Sequence, residues 1–204
     1  MPWKRFSVRA LFIVWLISVC SSSARADELP LLSEVPDFTF SERSGAELKL
    51  QDLKGSVWIC NFIFTRCHGQ CPLMSGRMAG LQEKCSGSGI QLVSFSVDPL
   101  YDTPERLQEY ALRYGAREAW FFLTGEKSRM WKFITEGFSL GVEEASPEDL
   151  AQGAESVIHS SRFVLVDGEG NIRGYYDSSD PAKMEALVRN AFELAASLGH
   201  AASQ

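Results

Sequence analysis

The chain of 204 residues carries a formal net charge of −6, with 45% hydrophobic and 23% charged residues. This length suits a single folded domain, and the acidic charge argues against a nucleic-acid partner. Five cysteines in a chain of this length do not indicate the dense disulfide framework of small secreted scaffolds.

The N-terminal segment predicts export. A basic start is followed by an apolar run at residues 10–19, and Ala24-Arg25-Ala26 matches a signal-peptidase site. We therefore predict a signal peptide over residues 1–26 and a mature start at Asp27. The run is short for a bilayer span, which needs about 20 residues; an uncleaved membrane anchor and a lipid-modified Cys20 are the alternatives. The expected location is the periplasm or an equivalent extracytoplasmic space, with membrane anchoring as the second option.

Strands and helices alternate after a short N-terminal hairpin. Residues 38–40 and 47–50 alternate in polarity around Ser44-Gly45, as hairpin strands do. Continuous apolar runs at 57–64 and 90–97 predict strands that are buried on both faces. The other predicted elements are helices at 73–84, 105–114, 126–138 and 182–198, and strands at 119–123, 162–166 and 171–175.

Two stretches depart from this alternation. Residues 139–156 form a polar insertion, with one turn of helix expected near Glu148, and residues 199–204 are expected to be a disordered tail. The βαβαβα order followed by ββα, with thiols after the first central strand, is the thioredoxin arrangement. We predict one domain over residues 27–204. Its fold class is α/β and thioredoxin-like: a central mixed sheet flanked by helices, with an N-terminal hairpin extension.

Two cysteines lie where a buried strand ends and a helix begins. Cys67 and Cys71 are separated by three residues, and Pro72 suits a first helical turn. The start of a helix favours thiolate, the form that attacks disulfides and binds soft metals. The pair therefore suits a redox disulfide or a platform for an ion such as Cu(I), with a plain structural disulfide as a further alternative. Haem attachment requires histidine after the second cysteine, whereas His68 follows the first.

Three further polar residues are expected near these thiols. His159 precedes the strand at 162–166, and in a thioredoxin-like layout the loop entering that strand passes beside the thiols. A histidine there can complete a Cys-Cys-His metal site, although a lone histidine is more often structural. Asp98 and Asp102 flank the end of the strand at 90–97. Steering of a partner, bonding to the site loops and capping of the following turn are all open roles for these two acids.

Three stretches of the chain carry a specific resemblance. They are Thr65-Arg66-Cys67-His68-Gly69-Gln70-Cys71-Pro72, Ser96-Val97-Asp98-Pro99-Leu100-Tyr101-Asp102-Thr103-Pro104-Glu105 and His159-Ser160. Together they resemble the SCO/SenC family of thioredoxin-like copper chaperones for cytochrome c oxidase assembly. The match runs in order over roughly residues 35–198.

The resemblance implies a ligand set. In that family two cysteines and a later histidine bind copper, and by motif position these are Cys67, Cys71 and His159. The family usually has proline after the first cysteine and often aspartate before the histidine, where this chain has His68 and Ile158. Neither departure removes a ligand.

The resemblance also implies a function. We predict a copper-binding chaperone that delivers copper to the binuclear copper site of cytochrome c oxidase during its assembly. The expected partners are subunit II of the oxidase or another cupro-protein, and an upstream copper donor. The alternative is a thiol–disulfide oxidoreductase that reduces partner cysteines before metal loading, in which Cys67 attacks and Cys71 resolves. A peroxidase that uses Cys67 fits the fold but has no motif support.

Overall fold

An eight-stranded mixed sheet organises the fold. The computed structural model describes residues 29–153 and 155–201, so the predicted signal peptide, the alternative lipid site at Cys20 and the mature start at Asp27 lie outside the described residues. In chain order the strands are β1 (Ser33–Glu34), β2 (Thr39–Glu42), β3 (Glu47–Lys49), β4 (Trp58–Ile63), β5 (Gln91–Ser96), β6 (Trp120–Thr124), β7 (Val142–Glu144), β8 (Val157–His159), β9 (Arg162–Val166) and β10 (Asn171–Asp177). The helices are α1 (Leu50–Leu53), α2 (Gln70–Lys84), α3 (Pro104–Arg113), α4 (Lys127–Lys132), α5 (Pro147–Ala151) and α6 (Pro181–Ala201).

The main sheet has the order β1-β10-β9-β4-β5-β6-β2-β3. Strands β4, β5 and β6 are parallel neighbours, and the other pairs in this sheet are antiparallel. Parallel neighbours require crossover connections, which α2 and α3 provide. The predicted hairpin, β2–β3, joins the main sheet through β6. The predicted thioredoxin-like fold, a mixed sheet flanked by helices, is confirmed.

The central strands are buried on both faces, as their apolar runs predict. All six residues of β4 are buried. Phe62 on β4 stacks on Phe95 of β5 with ring centroids 5.9 Å apart, and the Phe138 ring lies 5.2 Å from Phe62. Burying each of these side chains contributes roughly 1.5–3 kcal/mol. The strand end that leads to the thiols is therefore anchored in the aromatic core.

Helix α2 begins at Gln70 and not at residue 73 as predicted. Pro72 takes the third helical position, where its missing N–H removes no helical hydrogen bond. Because the helix starts earlier, Cys71 lies inside its first turn, while Cys67 remains in the preceding loop.

The predicted helix at 126–138 is divided into two parts. After α4 the chain widens into a π-helical turn, Phe133–Gly137. A side chain at Gly137 would clash, since a Cβ there would lie 2.7 Å from Pro36 Cδ. The turn ends next to Phe138, which packs on the core.

The insertion at 139–156 is more ordered than the sequence predicts. Its expected helical turn is α5, which is capped by reciprocal hydrogen bonds between Ser146 and Asp149. In addition, β7 pairs with β8 in a separate two-stranded sheet that places Val142 opposite His159. Three-residue strands give too short a pattern to be recognised from the sequence. The insertion therefore helps to hold His159 in place, because β7 pairs with the strand that carries it.

The last helix, α6, continues to Ala201, past the predicted end at residue 198. Residues 199–201 of the predicted disordered tail are therefore helical, because one glycine in a helix costs only about 1 kcal/mol. Residues 202–204 lie outside the described part. Over residues 29–153 and 155–201, no helix combines the length and the apolar character that crossing a membrane requires.

Candidate thiol and metal site

The two predicted thiols lie beyond the carboxyl end of β4. Cys67 is in the loop, where its N–H donates to the Phe64 carbonyl at 3.3 Å. Cys71 is fully buried, whereas Cys67 keeps 7% of its surface exposed. Cys67 is therefore the sulfur that a partner reaches first. Both are free thiols in the structure, so their predicted disulfide stays a prediction.

A buried carboxylate holds the base of the thiol loop. Asp102 accepts hydrogen bonds from the Thr65 N–H at 3.2 Å, the Thr65 hydroxyl at 2.5 Å and the Ser96 hydroxyl at 2.6 Å. Burial raises the pKa of Asp102, and these donors oppose the rise because they favour the ionised form. Since Ser96 ends β5, Asp102 fastens the loop to the neighbouring strand.

A second aspartate holds the residue before the first thiol. The Asp98 Oδ2 atom lies 2.6 Å from Arg66 Nε, and the same guanidinium lies 4.8 Å from the centre of the Tyr101 ring. Of the roles left open for these acids, bonding to the site loops is the one observed. Asp98 and Asp102 fix the two residues that precede Cys67.

His159 lies beside the buried thiol. Its Nε2 atom is 3.4 Å from Cys71 Sγ, and its Nδ1 atom is 3.0 Å from the Ser160 carbonyl oxygen. Because a carbonyl only accepts, Nδ1 carries the hydrogen and Nε2 presents its lone pair to the sulfur. Burial lowers the pKa of His159, which keeps the imidazole neutral. The Phe64 ring packs edge-on against it at 5.7 Å.

The two thiols have opposite ionisation preferences. Donation from the Cys71 thiol lowers the pKa of Cys67 to about 6, with help from the N–H groups of Cys71 and Gly69 and against the effect of burial. The same hydrogen bond, together with burial, raises the pKa of Cys71. This hydrogen bond therefore favours ionisation of Cys67 over ionisation of Cys71.

Two contacts link the three predicted ligands at one end of the main sheet. Cys67 accepts a hydrogen bond from the Cys71 thiol, and Cys71 Sγ lies 3.4 Å from His159 Nε2. Across the described ranges, no group of three His, Cys, Asp or Glu side chains is placed so that it could hold a metal ion. His68 is exposed and contributes its backbone N–H, not its ring, to a contact with another segment. The arrangement is an open set of two sulfurs and one imidazole nitrogen.

Known proteins resemble this chain along most of its length. The SCO1/SenC family model matches residues 27–193. The SCO1 protein homolog of Bacillus subtilis (strain 168) is 34% identical over 174 residues, which cover 83% of this chain and 87% of that protein. The chain belongs to the SCO1/SenC family.

Solved SCO1/SenC structures share the fold. The crystal structure of a SCO1/SenC family lipoprotein from Bacillus anthracis str. Ames is 32% identical, covers 82% of this chain and 98% of that chain, and superposes with a TM-score of 0.73. The structure of BsSco, described as a member of the Sco family of cytochrome c oxidase assembly proteins with a disulfide switch, is 33% identical. It covers 82% of this chain and 96% of that chain, with a TM-score of 0.70.

One contact of this SCO1/SenC site could not be found from the sequence. Glu155 Oε1 accepts a hydrogen bond at 2.9 Å from the N–H of His68, which is 87 residues away. An acid in a polar insertion is ordinarily a solvated residue, so composition gives no signal. Only the position of Glu155 four residues before His159 hints at a role near the thiols.

Proposed function

We propose that this SCO1/SenC protein binds one copper ion as cargo through Cys67, Cys71 and His159. It delivers the ion to the binuclear copper site of cytochrome c oxidase, or to another cupro-protein. The observation that carries the proposal is the 3.4 Å approach of His159 Nε2 to Cys71 Sγ, with the lone pair directed at the sulfur. Two thiolates and an imidazole are donors that suit copper.

Loading requires a change at one of the two sulfurs. Cys67 is already inclined to be a thiolate, whereas Cys71 holds a proton that metal binding must displace. His159 needs no deprotonation, because burial favours its neutral form and its Nε2 atom already carries a lone pair. One proton from Cys71 therefore leaves for solvent as the ion is bound.

Delivery proceeds by ligand exchange. A thiolate of the acceptor protein approaches at the Cys67 side, where the site is open, and takes the place of one donor of this chain. No electron is transferred in this exchange, and the proton released on loading is taken up again when Cys71 is vacated. The expected partners are subunit II of the oxidase, as the acceptor, and an upstream copper donor.

The test is a competitive copper titration of the reduced protein against a chelator. We expect His159→Ala to lower copper affinity by more than the roughly 10–100-fold that is typical of losing an outer partner of a metal ligand. The control is His68→Ala, which removes an exposed imidazole from the same loop and keeps the backbone N–H. If His159→Ala binds copper like the unmodified protein, or if His68→Ala loses as much, the proposed ligand set is wrong.

A second candidate function, reduction of a partner disulfide, is favoured by the ionised Cys67 beside a protonated Cys71. The Cys67 thiolate attacks one partner sulfur and forms a mixed disulfide, while the other partner sulfur leaves as a thiolate. Cys71 then attacks Cys67, closes the Cys67–Cys71 disulfide and releases the second partner thiol. Two electrons pass to the partner, and a small thiol reductant restores the pair.

This candidate is tested with the same variants. A dithiol reductant has no chemical need for an imidazole, so His159→Ala should still reduce a model disulfide, whereas Cys71→Ser should stop at the mixed disulfide. Thiol counting after air oxidation should find two fewer thiols than in the reduced protein. If copper affinity survives in His159→Ala while reductase activity collapses, the chaperone proposal fails and His159 serves a redox enzyme.

The proposed location is extracytoplasmic. The signal-peptide pattern at residues 1–26 supports export, and the Bacillus anthracis relative is called a lipoprotein, which supports an anchored form as the alternative. The intact mass of the exported protein distinguishes them. A start at Asp27 supports cleavage, a retained segment supports an anchor, and a lipid on Cys20 supports the lipoprotein form.

A further inference from the structure

Glu155 links two parts of the site that the chain keeps far apart. Its Oε1 atom accepts a hydrogen bond from the N–H of His68, in the middle of the thiol loop. The same oxygen lies against the next residue, since a Cβ on Gly69 would be only 3.2 Å from it. Glu155 itself lies at the end of the insertion, two residues before β8 and four before His159.

The contact complements the other supports of the thiol loop. Asp102 and Asp98 hold its beginning, and α2 holds its end. Glu155 holds its middle, and it does so from the segment that carries the imidazole. A charge-assisted hydrogen bond of this kind is stronger than a neutral one. Any movement of the insertion away from the thiol loop must therefore break the hydrogen bond between Glu155 and the His68 N–H.

We propose that Glu155 is a positioning residue, which fastens the thiol loop to the His159 segment and so keeps both sulfurs within reach of the imidazole. The proposal rests on the proposed copper function for its consequence, but the contact itself can be tested without metal. Glu155 is not a ligand in this proposal. Its oxygen is engaged by a backbone N–H, and a carboxylate suits copper less well than a thiolate or an imidazole does.

The insertion is also held at a second point, away from the thiol loop. Strand β7, which pairs with β8, is tied to α4 by the ion pair between Lys127 and Glu144. The insertion is thus held at α4 on one side and at the thiol loop on the other. If Glu155 is replaced by alanine, β8 keeps its pairing with β7. The segment just before β8, however, loses its hydrogen bond to the thiol loop.

The first experiment measures hydrogen exchange of the His68 amide in the reduced, metal-free protein. Glu155→Ala should accelerate this exchange about tenfold, the equivalent of one charge-assisted hydrogen bond. Glu155→Gln should fall between the two rates, because its side-chain carbonyl still accepts but carries no charge. Glu143→Ala is the matched control, since it removes an exposed acid from β7 in the same insertion. The amides of β4 report whether each variant remains folded.

Gly69→Ala disturbs the same contact from the other side. A Cβ at 3.2 Å from the carboxylate oxygen is tighter than ordinary packing, so the variant should also accelerate His68 exchange. Combined with Glu155→Ala it should add almost nothing, because both changes act on one contact. Additive effects in the double variant overturn the assignment of that contact to Glu155.

The second experiment measures the rate at which a chelator removes copper. Glu155→Ala should release copper roughly tenfold faster, as expected for a residue that orients ligands without binding metal. Glu143→Ala should behave like the unmodified protein, and Glu155→Gln should fall between it and Glu155→Ala. Unchanged His68 exchange in Glu155→Ala, or faster exchange without faster copper release, overturns the proposal. If the unmodified protein binds no copper, the proposed function fails, while His68 exchange still decides whether Glu155 fastens the loop.

Discussion

The two halves of the site rest on supports of different strength. The thiol half follows β4, whose residues are all buried in the main sheet, and Asp102 bonds it to β5. The histidine half lies on β8, a three-residue strand in a two-stranded sheet with a largely exposed partner strand. Elements with few buried contacts open at lower free energy than core strands. His159 therefore lies on the half of the site that can move at the lower cost to the fold.

The largest expected effect comes from removing the anchor of the thiol half. Asp102→Ala leaves three buried donors, two on Thr65 and one on Ser96, without their acceptor. We expect the free energy of unfolding to fall by about 3 kcal/mol or more, as measured by urea denaturation.

A matched substitution in the insertion should lower the free energy of unfolding much less. Asp149→Ala removes the α5 capping partner of Ser146, and we expect a loss of about 1 kcal/mol or less. A loss at Asp149 as large as that at Asp102 would contradict the difference between the two halves.

A second comparison uses buried valines. Val157→Ala in β8 should lower the free energy of unfolding by only about 1 kcal/mol, because the insertion can adjust around the lost methyl groups. Val93→Ala should cost about 2 kcal/mol or more, because Val93 is fully buried in β5 and a cavity remains. In amide exchange, Val157→Ala should loosen β8 and leave β4 unchanged. Equal losses of stability, or a loosened β4, would show that the halves are coupled more tightly than their packing indicates.

The smallest expected effect on the fold concerns ionisation of the thiols. The labelling rate of Cys67 by iodoacetamide should rise with pH to a plateau, with a midpoint at about 6, because the thiolate is the reacting form. Cys71→Ala removes the main hydrogen-bond donor to Cys67 and should move the midpoint up, towards the ordinary thiol value. An unchanged midpoint of the labelling rate in Cys71→Ala would show that the backbone N–H groups alone stabilise the Cys67 thiolate.

Sequence patterns predict the strong half of the site and only part of the weak half. The apolar runs identify β4 and β5, and the strand-to-helix change places Cys67 and Cys71 at the sheet edge. Motif order finds His159, but no pattern predicts that β7 pairs with β8. Three-residue strands have no measurable period.

The missed contact between Glu155 and His68 has a physical cause. The two residues are 87 positions apart along the chain. Single-sequence reasoning depends on local periodicity, capping and turn chemistry, none of which reports on partners so distant along the chain. The predicted start of α2 is wrong for a local reason: Pro72 is tolerated anywhere in a first helical turn and does not fix where the helix begins.

The hydrogen bond from His159 Nδ1 to the Ser160 carbonyl has a consequence for sequence drift. A main-chain oxygen is present whatever amino acid occupies position 160, so substitution there does not remove the group that fixes the imidazole tautomer. Glu155, by contrast, can be lost in a single substitution. The orientation of the His159 Nε2 lone pair is therefore insensitive to substitution at position 160. The hydrogen bond between Glu155 and the thiol loop, in contrast, depends on one side chain and is lost when that side chain changes.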